Sequence, residues 1–347
     1  MSEQKEKIVL DVAYQPQVRT NTDTRRLMLD VIIALCPAAI WAVVQFGVSA
    51  LVVMVSSVAS AVFFEWGYRK LMKKSATIDD LSAVLTGLLL AMTLPPTAPW
   101  WLPVVGTFFA IVVVKQLYGG IGKNFLNPAL AGRAFLLASY AVIMGSFAVP
   151  NALKGTVDGV TMATPLSYMY SGNPMPEYFG YGAMFMGGIP GAIGEVSALM
   201  LLIGGVYLIA RKVISWRIPV SFIGTVALLC LIFGHAGYDH GSWMIYNILS
   251  GGLLLGAIFM ATDYATSPVT LNGQLLYGAG CGVLTVLIRY FGGFPEGVSY
   301  AILIMNLCAW AIDKGFHRHQ FGVSKEDIAA EKAAKKAAKA AAKEAAK

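Results

Sequence analysis

The chain has 347 residues, of which 57% are hydrophobic and 13% charged, with a mean hydropathy of +0.65 and a formal net charge of +7. That is too apolar for a soluble domain, so the unit to count is a membrane span of about 20 apolar residues, enough to cross roughly 30 Å of hydrocarbon. Four isolated cysteines, Cys36, Cys230, Cys281 and Cys308, form no CxxC pair; they argue against a zinc or self-contained iron–sulfur site and a disulfide framework, and read as buried, inert thiols.

Residues 1–26 are polar and carry Lys5, Lys7, Arg19, Arg25 and Arg26. They lack the apolar core and cleavage site of a signal peptide, so the first span is expected to stay as an anchor. Apolar runs then predict spans at 28–46, 48–67, 81–94, 99–117 and 129–146, and, after one long polar interval, at 195–212, 217–234, 243–262, 272–290 and 296–313. The expected architecture is an all-α polytopic membrane protein of about ten transmembrane helices. Its divisions are a polar N-terminal segment (1–26), a first membrane repeat (27–146), a loop (147–194), a second repeat (195–313) and a basic Ala/Lys-rich tail (314–347).

Cytoplasmic flanks collect Lys and Arg. With the N-terminus inside, all of the 26 basic residues except Lys154 and Arg289 fall on inner segments. Both termini are therefore expected in the cytoplasm, and the 147–194 loop on the outer face. Orientation accounts for the positive charge, so no nucleic-acid partner is implied.

Two segments are short and interrupted at corresponding places. The third span stops at Pro95-Pro96, and the eighth, Leu249 to Met260, gives way to Thr262-Asp263-Tyr264-Ala265-Thr266-Ser267-Pro268. Their leading edges are alike, Leu85-Thr86-Gly87-Leu88-Leu89-Leu90 against Leu249-Ser250-Gly251-Gly252-Leu253-Leu254. Five spans separate them, and an odd number reverses direction, so the halves are predicted to form an inverted five-plus-five repeat with a central site or pathway at the breaks. Two Pro-terminated helices of chance similarity are the plainer alternative.

Between spans four and five lies Gly119-Gly120-Ile121-Gly122-Lys123-Asn124-Phe125-Leu126-Asn127-Pro128-Ala129. Its glycines permit close approach and Asn124 and Asn127 bring amides that could read a flat polar-edged ring, although an ordinary Gly/Asn turn fits the same residues. The run Gly187 to Glu195 lacks the order and preceding strand of a Rossmann phosphate loop. Asp30, Glu65, Arg133, Glu195, Asp263 and Arg289 lie near span ends, where snorkelling is expected to serve most of them. Asp263, after the broken eighth span, is the preferred candidate for an ion path. His317 and His319 sit among basic residues of the tail and give little support for a metal site. The tail itself has no apolar face and is expected to stay solvated or touch acidic lipid.

The polar loop carries Asp158-Gly159-Val160-Thr161-Met162-Ala163-Thr164. A threonine is a poor general base and a poor metal ligand, but its hydroxyl can be a covalent attachment point; the alternative is a loop threonine satisfying backbone groups beside Pro165. This D-G-x-T-x-A-T run resembles the sequence at which bacterial flavin transferases move FMN from FAD onto a threonine as a phosphodiester, with Met162 where glycine is common. Together with Asp79-Asp80-Leu81-Ser82-Ala83-Val84-Leu85-Thr86-Gly87, Lys115-Gln116-Leu117-Tyr118-Gly119-Gly120-Ile121-Gly122 and Phe259-Met260-Ala261-Thr262-Asp263, it resembles the D-subunit family of the Rnf ion-translocating electron transport complexes. The B subunit of the sodium-pumping NADH:quinone oxidoreductase shares the plan.

That resemblance implies a bacterial inner-membrane subunit with FMN covalently held at Thr164, the residues Asp158, Gly159, Thr161 and Ala163 forming the run that the flavin transferase reads. It implies an electron relay between redox partners, the complex's A, B, C, E and G subunits, in ferredoxin:NAD oxidoreduction coupled to Na⁺ or H⁺ movement. It further implies a non-covalent riboflavin near the N-x-x-N-P stretch, at Asn124 and Asn127, and a fold similar to urea and ammonium channels. No side chain is expected to act as acid or base, and no nucleotide fold for NAD is present. A channel or secondary transporter without flavin is the competing class; a third is a subunit with a purely structural role.

Overall fold

The structure, a computed structural model, describes residues 23–75, 77–154, 161–234, 237–292 and 296–316. The N-terminal polar segment up to residue 22, Asp158 and Gly159 of the loop run, and the tail with His317 and His319 lie outside the described residues.

Among those residues the chain is helical, with no β-strand. The first half holds α1 (Thr24–Phe46), α2 (Val48–Leu71), α3 (Ser82–Met92), α4 (Trp101–Phe108), which runs on as a π-helix over Phe109–Gln116, α5 (Pro128–Ser139) and the single turn α6 (Ala141–Met144). Gly47 alone separates α1 from α2, at φ 71° and ψ −148°, a conformation open to glycine and strained for other residues. Two short helices, α7 (Pro165–Tyr170) and α8 (Tyr181–Met186), form the intervening loop. The second half holds α9 (Ala198–Ala210), α10 (Arg217–Phe233), α11 (His240–Leu249), α12 (Leu253–Leu255) with a π-helix over Gly256–Met260, α13 (Leu271–Phe291) and α14 (Val298–Gly315).

Three of these helices, α1, α2 and α13, are long and apolar enough to cross a membrane, and the bent pair α11 plus α12 makes a fourth. The others predicted as spans are shorter: α3, at 11 residues, is about 16 Å long, roughly half the hydrocarbon thickness. The predicted fifth span divides at Tyr140, whose extended φ of −131° ends α5. The eighth breaks earlier than expected. Its interruption lies at Ser250–Gly252, with a 60° bend, because Gly251 and Gly252 both take left-handed φ values of 71° and 66°.

Close helix packing rests on small residues. Gly87 of α3 lies where a Cβ would come within 2.9 Å of the Ser57 carbonyl of α2, and Ser57 Oγ donates to Gly87 O at 2.6 Å. Gly282 of α13 sits likewise on α10, 2.7 Å from Thr225 Cβ. Between the halves, α1 packs on α9 and α5 on α14. The glycine-rich segment after α8 is buried, non-helical chain. It crosses the end of α3 with Ile193 N–H donating to Leu94 O (3.0 Å) and Gly194 N–H to Met92 O (2.7 Å), so it is satisfied by protein where lipid could offer nothing.

Two sequence expectations are corrected. Glu65, Arg133, Glu195 and Arg289 do not snorkel: each is buried, Glu65, Arg133 and Arg289 with internal hydrogen-bond partners and Glu195 at 3.9 Å from Arg133, because the segments they lie on face one another across the core. Of the cysteines only Cys230 and Cys281 are buried; Cys36 and Cys308 are exposed, on the outer faces of α1 and α14.

Candidate functional site

Thr164 is built into the loop by local chemistry. An antiparallel bridge joins Ala148 to Thr161, and Met162 N–H donates to Phe147 O at 3.0 Å, which ties the approach to Thr164 onto the chain after α6. Met162 packs into a small outer cluster of Val149, Leu153, Phe179, Met184 and Ile189, an anchor that glycine could not supply. Thr164, extended at φ −73° and ψ 155°, is the N-cap of α7; its Oγ accepts from Ser167 N–H at 3.3 Å, and Pro165 fits the first helical position. The bond occupies an oxygen lone pair, and among the described residues the hydroxyl donates to no acceptor.

The side chain is buried, 7% exposed, yet it lines a cavity of about 220 Å³ with Ala163, Ser167, Met144, Phe147 and Glu296. Small-molecule sites run to about 300–1,000 Å³. A phosphoryl group and a ribityl chain match this space; an isoalloxazine ring attached at Thr164 would extend beyond it. Ala163 of the predicted run therefore lines the site, and Thr161 serves in the bridge.

Asn124, Asn127 and Asp263, far apart in sequence, line one second cavity of about 100 Å³ with Lys115, Ser82 and Thr86. Asn127 makes three side-chain bonds: Oδ1 caps α5 by accepting from Ala129 N–H (3.0 Å) and Leu130 N–H (3.3 Å), while Nδ2 donates to Met260 O (3.1 Å) in the other half. Asn124 Nδ2 donates to Leu126 O at 3.0 Å. Asp263 closes a turn, accepting from Thr266 Oγ1 at 3.1 Å. The space is far below that of a tricyclic ring site, and Asn127 has little capacity left, so the arrangement does not fit a riboflavin as it stands and no step is routed through one.

The charged pairs are what sequence reasoning missed. Lys115 Nζ bonds Glu65 Oε2 and Ser82 Oγ, both at 2.6 Å, and Thr77 Oγ1 donates to Glu65 Oε1 at 2.9 Å. In the second half Arg289 fills the break at Ser250–Gly252. Its Nη1 donates to Asn247 O (2.8 Å) and Nη2 to the carbonyls of Ser250 and Gly251 (both 3.3 Å), which satisfies the C-terminal end of α11. Lys115 thus sits at the start of α3, whereas Arg289 sits at the break between α11 and α12. The only sequence signal was a single basic residue closing an apolar run in each case. Among the described residues no cluster of His, Cys, Asp and Glu could hold a metal.

A family model described as the NQR2, RnfD, RnfE family matches residues 11–322. The chain belongs to that family. Its similar relatives include the D subunit of the Na(+)-translocating ferredoxin:NAD(+) oxidoreductase complex of Acetobacterium woodii, 47% identical over 320 residues, covering 91% of this chain and 96% of the relative. The D subunit of the proton-translocating ferredoxin:NAD(+) oxidoreductase complex of Clostridium ljungdahlii is 42% identical over 328 residues, covering 92% and 98%. The D subunit of the ion-translocating oxidoreductase complex of Stutzerimonas stutzeri is 36% identical over 333 residues, covering 88% and 93%. The first two of these relatives are named for different ions, so similarity within the family does not select the ion.

Proposed function

We propose that this chain is the membrane D subunit of an Rnf-type complex in the bacterial inner membrane, carrying FMN esterified to Thr164. It relays electrons between redox subunits while the complex couples ferredoxin:NAD oxidoreduction to Na⁺ or H⁺ movement. The observation that carries this reading is the Thr164 hydroxyl, which lines a cavity of about 220 Å³ and, among the described residues, donates to no acceptor. In the attachment step a flavin transferase would join the Thr164 oxygen to the FMN phosphorus as the anhydride bond of FAD breaks, AMP departs and the hydroxyl proton is lost. FMN, once bound, supplies the redox chemistry, and the protein supplies position and electrostatics. Ser167 N–H would then donate to the ester oxygen, and Met162 would hold the loop down.

The same reading has ten membrane crossings in two inverted halves, both termini cytoplasmic and Thr164 on the outer face. Support comes from the packing of corresponding helices across the halves, α1 with α9 and α5 with α14. The A, B, C, E and G subunits would be its neighbours, giving and taking electrons that this chain has no nucleotide fold to exchange by itself. Asp263 remains the candidate for ion passage.

The test is co-expression with a flavin transferase. Denatured protein should fluoresce under ultraviolet light on a gel, Thr161→Ser should remain fluorescent, and Thr164→Ala should be dark. A fluorescent alanine variant would move the attachment elsewhere, and a dark parent would favour a channel or transporter without flavin.

A further inference from the structure

A third buried polar cluster adjoins the Thr164 cavity through Glu296. Arg133 on α5, Glu195 just before α9 and Glu296 just before α14 meet there, with side-chain exposures of 8%, 5% and 14%. Arg133 Nη2 contacts Glu296 Oε2 and lies 3.9 Å from Glu195 Oε1, while Nη1 donates to Ser299 Oγ at 2.9 Å. Glu195 Oε1 is buried and has no hydrogen-bond partner among the described residues. It stands against the left-handed backbone of Gly252, where a Cβ would lie 2.9 Å away. The other charged group facing the cluster is Arg289 of α13, whose guanidinium is committed to the carbonyls at the break.

Two ionised carboxylates sharing one guanidinium leave a surplus negative charge inside protein. A buried site of that kind resolves the surplus by binding a proton, as any close pair of carboxylates does. A metal cation is disfavoured by the Arg133 guanidinium at the centre. Glu296 already has its charge partner in direct contact; Glu195 Oε1 lies 3.9 Å from that guanidinium and makes no hydrogen bond among the described residues. Glu296 also lines the Thr164 cavity, so charge placed in that cavity acts directly on the cluster.

We propose that Arg133, Glu195 and Glu296 form one proton-binding site, with the proton on Glu195 and its affinity set by the charge held beside Thr164. The second half of that statement rests on the flavin reading; the first does not. Binding forms one O–H bond on Glu195 with a proton taken from water, and moves no electron. A phosphodiester beside Glu296, and further negative charge when electrons arrive from a neighbouring redox protein, both tighten the hold.

The proton is tested by infrared spectroscopy of the full chain in H₂O and D₂O. The parent should show a protonated-carboxyl stretch that shifts in D₂O and disappears in Glu195→Gln; in Glu296→Gln it should persist only at lower pH than in the parent, because Arg133 then faces a single carboxylate. Glutamine mimics a neutral carboxyl, so Glu195→Gln should elute from size exclusion as the parent does. No such band in the parent, or its survival in Glu195→Gln, overturns the assignment. Thr164→Val should keep the band while dark under ultraviolet light; loss of the band there would show that the site needs the flavin and overturn its independence. In the flavin-bearing complex, the midpoint potential of the Thr164-linked flavin should fall with rising pH more steeply in the parent than in Glu195→Gln. Equal slopes refute the coupling, and an unmodified parent would sink the flavin reading while leaving the infrared result to judge the proton.

Discussion

Lys115→Met is the perturbation whose size follows most directly from the structure. The ammonium is 3% exposed and its Glu65 partner 1%, at 2.6 Å, so solvent does not screen the pair. Removing the cation leaves a buried carboxylate with the Thr77 hydroxyl as its remaining donor. Breaking a buried pair from one side costs about 3–5 kcal/mol, whereas replacing both partners by apolar groups of similar volume is often neutral or stabilising. Against a total stability of about 5–15 kcal/mol, the single change is large. Thermal loss of the monodisperse peak in detergent should come at a clearly lower temperature for Lys115→Met. The double variant Lys115→Met with Glu65→Leu should recover most of the difference. A single variant as stable as the parent, or a double variant worse than either single, would refute the argument that an uncompensated charge is the cause.

Three further changes probe the scaffold. Arg289→Leu strips donors from the carbonyls of Asn247, Ser250 and Gly251. At about 1–3 kcal/mol for each buried group left unmade, it should destabilise strongly, and Arg289→Lys, lacking the planar fork, should rescue little, as the same melting assay reads. Gly282→Leu places a side chain where even a Cβ comes within 2.7 Å of Thr225. It should lower the yield of folded protein, while Gly224→Ala, with nothing within 4 Å, should leave it unchanged. Asn127→Ala removes the N-cap of α5 and the tie to Met260 O and should cost more than the roughly 1 kcal/mol of a cap alone; Asn127→Asp keeps the cap, loses the tie and should fall between.

What could be read from the sequence was local. Asn127 before Pro128 marks the start of α5; the interruption of the eighth span was expected from Thr262 onward, some ten residues later than the Gly251-Gly252 pair where it lies. Of Thr164 the structure shows the plainer alternative, a threonine before Pro165 that satisfies a backbone group as the N-cap of α7. The buried ion pairs were not legible. Arg289 finds its carbonyls 38 to 42 residues away and Arg133 meets Glu296 across 163, separations that no periodicity encodes. Each of these charges looked like an ordinary flank at the end of an apolar run. The short α3 was visible as a Pro-limited segment; the division of the fifth span at Tyr140 had no signal, since apolar residues continue on both sides of it, Phe135-Leu136-Leu137-Ala138 before and Ala141-Val142-Ile143-Met144 after.

The central claim is a covalent bond at one oxygen, and intact-peptide mass spectrometry addresses it without reference to activity. Protein produced with its flavin transferase and digested should give a peptide containing Thr164 that is heavier by the mass of FMN less one water, with fragment ions placing the addition on Thr164. The same peptide at its unmodified mass, from a complex that still transfers electrons at the normal rate, would contradict the account.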